Sequence, residues 1–69
     1  MTVYGYDGKG YSTGDRVELH PGTDLWMQGA RYGVVVALMP TLRDQVHVRL
    51  DAIPNRVFSG PADRFRAIA

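Results

Sequence analysis

The sequence predicts an all-β fold, a small closed barrel of five short strands with one helical turn near Trp26. Three observations predict it. Apolar residues alternate with polar ones in short runs; Gly, Pro, Asp and Asn separate those runs; and no stretch holds a helical period beyond a short turn. Closure is expected because an open sheet of few, short strands would present exposed edges.

The amino end, "TVYGYDGKGYST", is rich in Gly and Tyr, and its Asp7-Gly8 pair between alternating residues is a hairpin cue. Two-stranded hairpins are marginal in water, and Gly5, Gly8 and Gly10 raise the entropy lost on ordering. The reading is therefore an N-terminal arm or hairpin over residues 1–13 and a barrel over residues 14–69.

Regular alternation starts at Asp15. In "DRVELH", Val17 and Leu19 fall on one face and Arg16, Glu18 and His20 on the other, the pattern of a half-buried strand. In "HPGTDLWMQGARYG", Pro21-Gly22 makes a turn, Thr23 or Asp24 caps a helical turn over "DLWMQ", and Gly29 ends it. Trp26, the only tryptophan, is expected to plug the barrel's open end.

"RYGVVVALM", residues 31–39, reads as the central strand, covered on both faces or curling between sheets, with Gly33 permitting the bend. "PTLRD" turns the chain into "QVHVRL", where Val46, Val48 and Leu50 point inward and Gln45, His47 and Arg49 outward. After the turn "DAIPN" come a short strand "RVFS", Gly60-Pro61, a tight turn over "ADRF" and a terminal strand "RAI". The architecture that fits this order is an SH3-like barrel.

Sixty-nine residues make one domain, near the lower size limit for independent folding, with roughly 60% of the unfolded surface buried. Hydrophobic residues make up 45% and charged residues 22%, which places the chain in the globular range. Without cysteine there are no disulfides, thiolate zinc sites or thiol nucleophiles. No apolar run approaches the roughly 18 residues that span a bilayer, and "MTVYGYDGKG" lacks the layout of a signal peptide, so a cytoplasmic protein with no membrane partner is expected. A net charge of +1 argues against strong general attraction to nucleic acid. Lys9 is the only lysine beside a set of arginines, a skew that suits phosphate or carboxylate recognition and also follows from a GC-rich coding sequence.

"GDRVELHPGTDLWMQGARYGVVVAL", "VHVRLD" and the terminal "PADRFRAI" together resemble small SH3-like proteins encoded by tailed bacteriophages. In those proteins a Gly-x-Arg-Val-Glu-Leu-His-Pro start, a Trp-Met-x-Gly centre and an Arg-Tyr-Gly-x-Val-Val strand recur. The resemblance covers about residues 14–68 and implies the fold and a phage origin rather than an activity. Gly14-Asp15-Arg16-Val17 and Trp26-Met27-Gln28-Gly29 are similar, more distantly, to the plasmid-borne type II dihydrofolate reductases, which are also SH3-like barrels. Those enzymes work through a Val-Gln-Ile-Tyr segment lining a shared pore. The matching segment here, Arg56-Val57-Phe58-Ser59, lacks the Gln and Tyr that hold folate and nicotinamide. A reductase therefore ranks third among the functional readings.

Candidate chemistry is sparse. His20 and His47 have neither cysteine nor an HxxxH spacing to complete a metal site. Asp7, Asp15, Asp24, Asp44, Asp51 and Asp63 sit in turns, where Asp bonds local backbone, and only Glu18 is on a strand. Ser12 and Ser59 lack a Gly-x-Ser-x-Gly elbow, and no phosphate loop follows the amino-terminal glycines. The expectation is a non-enzyme without cofactor or metal.

Tyr4, Tyr6 and Tyr11 cluster beside Lys9 and are the candidate protein-binding residues, with a stacking platform for single-stranded nucleic acid as one alternative and packing back onto the barrel wall as the favoured structural one. Arg16, Arg49, Arg56, Arg64 and Arg66, outward by strand parity, are the candidate nucleic-acid contacts, with Phe65 between Arg64 and Arg66 as a candidate base-stacking ring. The leading reading is a phage-type accessory protein that binds a host or phage protein. A nucleic-acid-binding barrel of the KOW or Tudor type is the runner-up. The arm is also expected to pair with a neighbouring chain or sheet edge, which would make a homo-oligomer.

Overall fold

The structure is a computed structural model and describes residues 1–39 and 44–68. Chain order is β1 (Val3–Tyr4), β2 (Gly10–Tyr11), β3 (Arg16–Leu19), α1 (Asp24–Met27), β4 (Tyr32–Met39), β5 (Gln45–Leu50), β6 (Val57–Pro61), a 3-10 turn (Ala62–Arg64) and β7 (Phe65–Ala67). The fold is all-β apart from the two short helical turns. No helix among the described residues is long and apolar enough to cross a membrane.

Strands β3 to β6 form an antiparallel meander, and β7 returns to the far side of β3, giving a five-stranded sheet in the order β6-β5-β4-β3-β7. The hairpin β1-β2 is a separate two-stranded sheet. The expected closed barrel is therefore not formed by hydrogen bonding, because no ladder joins β6 to β7. The hairpin packs instead against β7 and the 3-10 turn. Tyr6 N–H donates to the Phe65 carbonyl of β7 at 3.1 Å, and the Tyr11 hydroxyl donates to the Ala62 carbonyl in the 3-10 turn at 2.6 Å.

Alternation produces the core as expected. Val17 and Leu19 of β3 and Val46, Val48 and Leu50 of β5 are buried, with Val35, Ala30, Ala62 and Phe65. Val3 and Tyr11 of the hairpin belong to the same buried cluster, at 1% and 2% exposure. Val3 and Tyr11, on the amino-terminal side of the boundary expected at Gly14, thus pack with the side chains of the five-stranded sheet. A large aromatic buried there supplies apolar area that so small a sheet needs.

In β4, the register of pairing with β5 shifts between Val35 and Ala37. Gly33 also meets a packing demand. A Cβ there would lie 2.6 Å from the Arg49 carbonyl oxygen and 2.8 Å from Val48 Cγ1, so its value is the close approach of β5. The "PTLRD" turn lies, up to Arg43, outside the described residues.

Helix α1 starts and stops as its residues predict. Thr23 Oγ1 accepts from Trp26 N–H at 3.3 Å, and Gly29 follows the helix with φ of +94°. Trp26 is half-buried against the core and not the full plug expected; one side of its ring carries the Arg31 guanidinium at 4.8 Å, and Tyr32 lies 6.4 Å away. An α1 of four residues brings Trp26 only to the rim of the core.

Candidate functional site

An open depression of about 1020 Å³ lies where the hairpin, the end of β3, α1, the 3-10 turn and β6, through Ser59 and Gly60, meet. Leu19, at the end of β3, and Leu25 of α1 provide apolar surface. Gly5 and Tyr6 come from the hairpin loop, and Asp63 and Arg64 from the 3-10 turn. His20, Thr23 and Asp24 complete a polar rim.

Local hydrogen bonds hold that rim. Gly22 N–H donates to His20 Nδ1 at 2.9 Å, and Thr23 Oγ1 donates to the His20 carbonyl at 2.9 Å. Since Nδ1 accepts, the neutral imidazole carries its proton on Nε2. His20 N–H donates to the Arg64 carbonyl at 2.8 Å, which ties the β3 end to the 3-10 turn. The Tyr6 ring meets His20 nearly edge-on, with centroids 4.7 Å apart and planes at 72°.

Tyr6 is held at its other end as well. Its hydroxyl donates to Glu18 Oε1 at 3.2 Å, the same oxygen that accepts from Arg66 Nε at 2.9 Å. Partial burial pushes the Tyr6 phenol above its ordinary pKa, and Arg66 opposes that shift. At neutral pH the group is a neutral donor.

The candidate residues do not converge on one surface. Of the three tyrosines, Tyr6 lines the depression, Tyr4 is 61% exposed beside a smaller hollow lined by Asp44, Pro61 and Asp63, and Tyr11 is in the core. Tyr11 is thereby corrected from a binding residue to a structural one: its side chain is enclosed and its hydroxyl is already bonded. Among the arginines, Arg16 makes a bidentate pair with Asp51 at 3.0 and 2.7 Å, and Arg66 is engaged by Glu18. Arg56 lies over the Phe58 ring at 5.1 Å. Arg49 is exposed on the outer face of β5, and Arg64 lies at the depression.

Phe65 is buried at 4% exposure, so the expected stacking ring between Arg64 and Arg66 faces the core instead. Strand parity explains this correction, since Phe65 pairs with inward Leu19 and Arg66 with outward Glu18. No group of three or more His, Asp or Glu able to hold a metal occurs among the described residues.

The rim includes residues that sequence reasoning did not single out for binding, namely His20, Thr23, Asp24 and Asp63. The His20-Pro21-Gly22-Thr23 turn signalled a fixed loop, but nothing local tied it to Asp63. Chemically, the arrangement offers an apolar floor, donors from Arg64 and His20 Nε2, and carboxylate acceptors from Asp24 and Asp63. No family model, curated protein or solved structure matches the chain.

Proposed function

We propose that this chain is an SH3-like barrel of phage type that works without chemistry of its own, as a cytoplasmic binding module for a host or phage protein. The strand order supports the architecture: a four-stranded meander, a 3-10 turn, and a last strand returning beside the first strand of the meander. The observation that carries the binding reading is the depression at the hairpin, α1 and 3-10 turn. Its apolar floor and two-signed polar rim suit a partner side chain with its flanking backbone. The test is capture of one specific protein from host lysate by the tagged chain. Tyr6→Ala with Arg64→Ala should abolish capture while leaving the circular dichroism spectrum unchanged. Capture unaffected by that pair of changes refutes this site.

A nucleic-acid ligand is the second reading, favoured by Arg49 and Arg64, which make no salt bridge among the described residues. It requires log affinity to fall linearly with log salt, by about 0.9 per duplex phosphate or about 0.7 per single-strand phosphate neutralised. No binding to DNA or RNA at low salt eliminates it.

A further inference from the structure

The two edges of the five-stranded sheet differ. At β7, residues Phe65 and Ala67 direct their backbone away from β3, and the hairpin covers part of that side by donating Tyr6 N–H to the Phe65 carbonyl. At β6, no such cover exists among the described residues. Ala62 N–H bonds the Asp44 carbonyl at 3.0 Å, which sets the antiparallel parity: Phe58 and Gly60 turn their backbone groups to β5, whereas Val57, Ser59 and Pro61 turn theirs outward.

Pro61 protects one end of this edge, and the rest of it carries no charge. Val57 is 47% exposed, and Phe58 is only half-buried although it faces the core side. The nearest cation in sequence, Arg56, lies over its own Phe58 ring at 5.1 Å.

We infer that β6 is the pairing edge for a second copy of this chain, joined antiparallel about a two-fold axis at Phe58. In that register Val57 stands opposite the partner's Ser59, and each exchanges both N–H···O bonds with the other. Both outward donors of β6 are used, and Pro61, which has no N–H, falls outside the bonded pairs. Phe58 meets the partner's Phe58 at the non-bonded position, where side chains come closest, and each half-buried ring covers the other. Pairing in closed twos is favoured by the other edge: a head-to-tail array would need β7 open along its length, and the hairpin already takes the Phe65 carbonyl. The contact is small, so association belongs to the weak, concentration-dependent class. It also differs from pairing through the N-terminal arm, whose strands are only two residues each.

The test is sedimentation of the full chain over an approximately 100-fold concentration range, together with amide hydrogen exchange. Wild type should pass from monomer to dimer, with Val57 and Ser59 amides gaining protection as concentration rises. Ser59→Pro removes an outward donor that the monomer does not use, and should leave a folded monomer. Val57→Lys should do the same through edge charge and carries the test if Ser59→Pro does not fold. A wild type that stays monomeric throughout overturns the inference, as does dimerisation that survives Val57→Lys.

Discussion

The Tyr11 hydroxyl donates a 2.6 Å hydrogen bond to the carbonyl of Ala62, 51 positions away, and so ties the amino-terminal hairpin to the 3-10 turn before the last strand. Both residues are buried. The bond anchors the hairpin against the 3-10 turn.

Tyr11→Phe keeps the ring and leaves the buried Ala62 carbonyl without that donor. The expected loss is about 1–3 kcal/mol of unfolding free energy, read as a lower urea midpoint at unchanged slope. An unchanged midpoint would show that the bond adds nothing to the fold.

Burial pushes the Tyr11 phenol far above its ordinary range, with Asp63 and Asp44 adding to the shift. The unfolded tyrosine ionises near pH ~10, while the folded one stays protonated, so above that pH the unfolded state binds fewer protons. Stability is fully present below that pH and falls as pH rises towards the folded pKa, by up to about 1.4 kcal/mol per pH unit from this group. Tyr11→Phe should flatten this alkaline slope. Parallel slopes in wild type and variant between pH ~10 and ~11 would refute the assignment.

Deleting residues 1–12 removes Val3 and Tyr11 from the core and uncovers the Phe65 carbonyl. A domain this size has little stability to spare, so the truncated chain should lose its cooperative thermal transition. A truncated chain that melts cooperatively near the wild-type temperature would support the boundary at Gly14.

Trp26→Ala should cost less than a fully buried tryptophan would, because the ring is half-buried and covered on one side by Arg31. We expect about 2 kcal/mol, measured by urea unfolding followed by circular dichroism. A loss above about 4 kcal/mol would show that the ring acts as the plug its loop suggested.

Much of the β architecture was legible in the chain itself. Alternation in "DRVELH" and "QVHVRL" set which side chains of β3 and β5 face inward, and Thr23 and Gly29 set the ends of α1, because these features depend on neighbours a few residues away. Tertiary structure alone decided which distant residues meet. A tyrosine in a Gly-rich hairpin has the same local pattern whether it faces solvent or core, so Tyr4, Tyr6 and Tyr11 were indistinguishable until the hairpin docked against Phe65 and Ala62. Likewise Arg16 and Asp51, 35 positions apart, became a pair only when β4 brought β3 and β5 to either side of it. Tyr6, His20, Asp24 and Arg64 share one depression because two turns and a sheet register place them there, and register is a property of the whole sheet that no single segment encodes.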